Sequence, residues 1–175
     1  MKLTTITNVS VDGVMQGLGG PDEDRRGGFD RGGWQRPPGR FDAELGAFIV
    51  EVYQRADAFL FGRWTYEPFA GYWGMMAESD HPIAAPLNAR PKYVASTTLT
   101  DPQWADTTVL SGDVAAGVGE LKAKPGGELQ VHGSGNLVRW LLDEPPGRRD
   151  HPAHVSGGRG SGHAAVPRHR AGHST

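Results

Sequence analysis

Residues 58–61, Ala-Phe-Leu-Phe, form an apolar run that closes at Gly62 and leads into Arg63-Trp64-Thr65-Tyr66-Glu67. A buried strand, a glycine turn and a helix start in that order constrain the chain to an alternating α/β arrangement. Thr65 is expected to cap a helix that Tyr66 and Glu67 begin. The order recurs later: Leu129-Gln130-Val131 reads as a strand, His132-Gly133-Ser134-Gly135-Asn136 as a turn, and Leu137–Leu142 as a helix. Each such turn is, in its plain form, an ordinary strand-to-helix connection. The first amides of a helix lack internal partners and its dipole favours negative charge, so each is also a ready anion site. Arg63 adds a fixed cation suited to phosphate. Neither turn is a GxGxxG fingerprint or a Walker loop. Two turns of this kind in one alternating chain suggest a phosphate-bearing dinucleotide lying across the carboxyl edge of a sheet.

The remaining elements are expected around these two. Leu3–Val9 reads as a first strand running into Ser10-Val11-Asp12-Gly13. Asp12-Gly13 has two readings: a hairpin turn, or an aspartate held at the carboxyl end of a strand, where open α/β sheets place ligands. Gln16–Arg40 is a long glycine-rich loop read as a lid, with Trp34 as the residue it would bury. Phe41–Ala56 carries Leu45, Phe48, Ile49, Val52 and Tyr53 at the spacing of one buried helical face, with Asp42 in its first turn. The helix after Gly62 is expected to stop near Pro68 or Gly71. Met75–Asn88 is a connector with a short helix at Ile83–Leu87. Lys92–Ala95 and Val109–Leu110 are strands, and Asp113 caps a helix reaching Lys122.

The 175 residues suffice for one domain with a real core. A formal charge of −2 gives no argument for nucleic acid or an anionic membrane. The absence of cysteine excludes a disulfide frame, a thiolate zinc site and a cysteine nucleophile, and suits a cytoplasmic protein. No apolar run reaches membrane-spanning length, and the N-terminus has no signal-peptide core. Composition breaks at Pro145. The tail from there has no aromatic residue, no Leu and no Ile, but holds five of the seven histidines. Such a stretch cannot bury enough apolar surface to offset its ordering entropy. The histidines lack the spacing of a metal site.

Ser10-Val11-Asp12-Gly13, Gly62–Glu67, Pro91-Lys92-Tyr93-Val94-Ala95-Ser96 and His132-Gly133-Ser134-Gly135 occur in an order and spacing that resemble the dihydrofolate-reductase-like superfamily. The most similar branch is that of the reductase domain at the C-terminus of the bifunctional riboflavin-biosynthesis deaminase-reductase. The resemblance covers residues 1–144 and implies a three-layer α/β fold with a mainly parallel central sheet. It implies NADPH as hydride donor to an electrophilic carbon of a pterin-like or ribosylaminopyrimidine-type substrate. By the same resemblance, Gly62, Arg63 and Thr65 hold cofactor phosphates. Ser96 and Thr97 lie near the adenosine 2′-phosphate, and Gly133, Ser134 and Gly135 admit the pyrophosphate and nicotinamide side. Asp12 faces the substrate, and Asp42 is the nearest match to the carboxylate that dihydrofolate reductases carry early in the helix after the lid. Relatives are commonly homodimers.

Two other readings stand beside the reductase: a non-catalytic nucleotide- or pterin-binding member of the fold, and an inactive truncated product. The second follows from the tail, because the resemblance stops near Glu144 while relatives continue into further strands. Reading Gly147–Pro152 one nucleotide later permits V-D-E-I-T-L, an apolar strand text absent from the given frame. The tail, residues 145–175, is therefore expected to be out of frame and disordered, with the last strands of the sheet missing.

Overall fold

The computed structural model describes residues 1–35 and 43–143. Asp42, the far end of the expected lid, and the tail with its five histidines lie outside the described residues. Those described fall into two compact units, one holding residues 1–15 and 43–143, the other 16–35.

The first unit runs β1 (Lys2–Thr5), α1 (Ala43–Gln54), β2 (Ala56–Gly62), α2 (Arg63–Trp73), a 3-10 turn (Gly74–Met76), α3 (Ala84–Ala89), β3 (Lys92–Ala95), β4 (Thr107–Leu110), α4 (Val114–Ala123), β5 (Glu128–Val131) and α5 (Gly135–Asp143). Among the described residues the strands form one all-parallel sheet in the order β1-β5-β2-β3-β4. This is the expected three-layer α/β architecture. β2 is the central strand, and Phe59, Leu60 and Phe61 are wholly buried. Burial on both faces is why this strand reads as a continuous apolar run rather than an alternating one. Each such side chain contributes roughly 1.5–3 kcal/mol by leaving water.

The two faces have different cores. Phe59, Phe61 and Val94 meet Tyr66 of α2, Leu87 of α3 and Trp104, with Tyr53 of α1 packed at the margin. Ala58, Leu60, Leu129 and Val131 meet Val114, Val118 and Leu121 of α4 and Leu137 and Leu141 of α5. So α2, which follows β2, lies on one face, while α5, which follows the neighbouring β5, lies on the other. The carboxyl ends of β5 and β2 therefore form a topological switch point, the place where open α/β sheets bind ligands.

Several local expectations are corrected. β1 ends at Thr5, with one further pairing from the Ile6 amide to Val131 O at 2.9 Å, rather than at Val9. The helix after Gly62 starts at Arg63, so Thr65 is its third residue and not its cap. It passes through Pro68 to Trp73. Tyr66, Phe69, Ala70 and Trp73 all pack into the same core, and that stripe outweighs the one backbone bond the proline removes. On α1, Val52 is buried but Leu45 and Phe48 are exposed, so the apolar face is covered only at its C-terminal half. Asp113 caps α4 as expected, its Oδ1 accepting from the Ala116 amide at 3.0 Å.

A buried lysine anchors α3 to the sheet. Lys92, at the start of β3, donates through Nζ to Leu87 O at 3.0 Å, Asn88 O at 3.4 Å and Arg90 O at 2.8 Å. It thereby satisfies carbonyls that the end of α3 leaves open.

Within the second unit the chain closes on itself. Gln16 Nε2 donates to Asp24 O, Asp24 Oδ1 and Arg26 O at 3.1, 3.0 and 2.9 Å. Trp34 Nε1 donates to Gln16 O at 2.8 Å, and the Gly33 amide to Gly17 O at 2.6 Å. The indole of Trp34 thus spends its donor inside its own unit.

Candidate functional site

The two glycine turns of the sequence meet at the switch point. The Gly62 amide donates to Gly133 O at 2.9 Å. A side chain on Gly62 would put its Cβ 3.1 Å from the Ser134 amide nitrogen and closer still to Ser134 Oγ. Gly133 has φ +117°, and a Cβ there would lie 2.8 Å from Thr65 Oγ1. A Cβ on Gly135 would come 3.5 Å from Met15 Sδ, so the loop after β1 also reaches the start of α5. Gly62 and Gly133 are required here by close approach, and Gly133 also by its backbone conformation. The Gly133–Ser134 peptide is cis. Gly62, in extended conformation, is the N-cap of α2 and has no side chain to occupy the first-turn amides. Thr65, Gly133, Ser134 and Gly135 are brought together with Gly62.

Arg63 stands beside this junction. Its Nε donates to Glu67 Oε1 and its Nη1 to Thr98 Oγ1, both at 2.7 Å. The exposed pair with Glu67, one turn along the helix, adds only about 0.3–0.5 kcal/mol. It holds the guanidinium at the helix start and in reach of the loop after β3. In that loop Ser96 is buried, and its Oγ accepts from the amides of Thr98 at 3.2 Å and Leu99 at 3.0 Å. The Ser96 hydroxyl therefore shapes the turn, whereas Thr97 and Thr98 are exposed. Thr98, which the sequence reading passes over, is the residue that meets Arg63.

Asp12 lies in a tight turn beyond β1. Ser10 N donates to Val14 O and Gly13 N to Ser10 O, each at 2.9 Å, and Ser10 Oγ donates to Asp12 Oδ1. The carboxylate is exposed on the carboxyl side of the sheet.

His132, in the sequence only the first residue of a glycine turn, is half-buried and packed among rings. It stacks on Tyr53 with centroids 4.6 Å apart, and Phe59, Phe61 and Phe69 surround it at 5.6, 6.1 and 6.2 Å. Desolvation pushes its pKa down to about 3, so the ring is neutral. Its Nε2 lies 3.2 Å from Gln130 Oε1. Gln130 is fully buried, and its Nε2 donates to Val52 O at 2.7 Å and Glu128 Oε2 at 2.8 Å. Periodicity could flag Gln130 as a polar residue in an apolar strand, but the cage around His132 is assembled only through space.

Two cavities, of about 600 and 430 Å³, open at the amino edge of the sheet, around Pro91, Trp104 and Thr107 and around Met1, Asp57 and Lys124. They hold none of the converging glycines or helix starts, so the switch point is the better candidate. Among the described residues, no helix is long and apolar enough to cross a membrane.

A family model, the RibD C-terminal domain, matches residues 1–145. No curated protein matches the chain. The chain belongs to the RibD C-terminal domain family, a family of riboflavin-pathway reductases with the dihydrofolate-reductase-like fold.

Proposed function

We propose that this family member is an NADPH-dependent reductase acting on a ribosylaminopyrimidine or pterin-like heterocycle. The observation that carries the reading is the junction of Gly62 with Gly133, which sets two helix starts side by side at a sheet switch point. A Cβ on either glycine would clash with Ser134 or Thr65, so it is the absence of side chains that lets the two helix starts stand together as a place to receive a pyrophosphate. Amides at the start of α2 and α5 would receive the phosphate oxygens, with Thr65 and Ser134 flanking them. Arg63 would give the fixed charge for a further phosphate, supported by Thr97 and Thr98, while Ser96 keeps their loop in shape. NADPH supplies the hydride when bound. The protein's part is to orient the acceptor carbon, exclude water and hold charge. In this reading Asp12 and Asp42 are the carboxylates that fix the substrate or assist its protonation. A soluble cytoplasmic homodimer belongs to the same reading.

The second reading is a nucleotide-binding member without turnover. Loss of NADPH absorbance during incubation with a panel of aminopyrimidine and pterin substrates separates the two. Turnover with at least one of them is expected. Tight NADPH binding without turnover of any substrate would favour the second reading.

A further inference from the structure

The amide of Gln130 can be oriented in one way only. Its nitrogen faces two pure acceptors, the Val52 carbonyl and the Glu128 carboxylate, so its oxygen must face His132. Glu128 is itself held, by Arg55 Nε at 3.5 Å and Thr4 Oγ1 at 3.4 Å. An oxygen facing His132 Nε2 accepts its proton, which leaves Nδ1 of the neutral ring as a lone pair. Among the described residues no buried side-chain nitrogen or oxygen lacks a partner, and no described group bonds Nδ1. Nδ1 therefore reaches solvent-accessible space at the carboxyl end of β5, beside the half-buried rings of Tyr53 and Phe69, with the buried Phe59 and Phe61 behind them.

We propose that His132 Nδ1 is the hydrogen-bond acceptor that reads an N–H donor on the edge of a planar nitrogen heterocycle bound at the switch point, and that Gln130 is the positioning residue that aims it. This deepens, and rests on, the reading of the chain as a reductase of aminopyrimidine-type substrates. The half-buried rings of Tyr53 and Phe69 offer stacking surface to a flat ring. A fixed acceptor among rings selects one with an edge N–H, because an unpaired acceptor penalises a ring without it.

The test uses the full chain labelled with nitrogen-15 at histidine, with 5,6-diaminouracil as probe. In the free protein the spectrum is expected to show His132 protonated at Nε2 only. The probe should shift the Nδ1 resonance, and 1,3-dimethyluracil, which lacks the N–H donors, should not. His132→Phe, which keeps the ring wall, should weaken the probe roughly tenfold while leaving NADPH affinity unchanged. Gln130→Leu should produce a mixture of His132 tautomers. A proton on Nδ1 in the free protein, or probe binding that leaves the Nδ1 resonance in place, overturns the assignment of His132 alone. A probe that does not bind in the presence of NADPH overturns this proposal together with the aminopyrimidine reading.

Discussion

The Gly62 amide donates to the Gly133 carbonyl at 2.9 Å, joining the ends of two adjacent strands whose following helices leave on opposite faces of the sheet. This one bond brings together residues 71 positions apart (133 − 62), and with them both glycine turns. It leaves no room for a side chain on either residue.

Gly62→Ala should therefore lower stability by about 1–3 kcal/mol, the usual cost of overpacking. Part of the clash is with the Ser134 side chain, so Ser134→Gly should relieve it. Urea denaturation of the two single variants and the double variant should show a coupling of about 0.5–3 kcal/mol. Additive effects would mean the two turns are not in contact. Gly133→Ala should be destabilising in either background, because φ +117° is strained for any side chain.

Lys92 gives a second prediction. Burial lowers its pKa from 10.5 to about 8, partly offset by Asp106. Between those values the unfolded chain binds the extra proton, so this group adds stability as pH rises from about 8 to about 10.5. Lys92→Met should lose about 1–3 kcal/mol at neutral pH by stripping the α3 carbonyls of their donor. The variant should also lose the alkaline rise in melting temperature that the wild type shows.

His132 predicts the opposite end of the pH range. Its folded pKa of about 3 lies below the ordinary 6.5, so the unfolded state takes up the proton first as pH falls. The stability tied to the neutral ring is complete above pH 6.5 and declines towards pH 3. In melting curves across that range wild type should lose stability relative to His132→Phe as the pH drops. A constant difference between the two would show that the ring titrates normally.

The strand text was readable where burial is two-sided. Phe59, Leu60 and Phe61 admit few other fates, and Leu129 and Val131 follow the same logic. The start and stop of α2 were not, because Pro68 and Thr65 carry strong local signals that the packing of Tyr66, Phe69, Ala70 and Trp73 overrides. The grouping of Gly62 with Gly133 was legible as two copies of one pattern. The cage around His132 was not, since Tyr53, Phe69 and Gln130 come from three different elements with no shared spacing. Leu45 and Phe48 fit a buried helical face by period, yet period alone cannot say what stands opposite.

The coding frame supplies a fourth prediction. The family match ends at residue 145, where the Gly-, Pro-, Arg- and His-rich composition begins. Among the described strands β1 pairs only with β5, so one of its edges has no strand beside it. We propose that the shifted reading, with V-D-E-I-T-L at Gly147–Pro152, is the sheet-forming text. Resequencing codons 140–150 should reveal one missing or added base, and the frame-restored chain should melt at a higher temperature. A clean read of the present frame, with a cooperative melt and reductase activity for the 175 residues, contradicts this.

The central claim is that the switch point holds the phosphates of NADPH. Isothermal calorimetry of the chain with NADPH and with NADH, repeated on Arg63→Ala, tests it most directly. The account predicts tighter binding of NADPH than of NADH by wild type. It also predicts a loss of roughly 1.5–3 kcal/mol for NADPH when the charge-assisted contact of Arg63 is removed. Equal affinity for the two nucleotides, or an NADPH affinity that Arg63→Ala leaves unchanged, would contradict it.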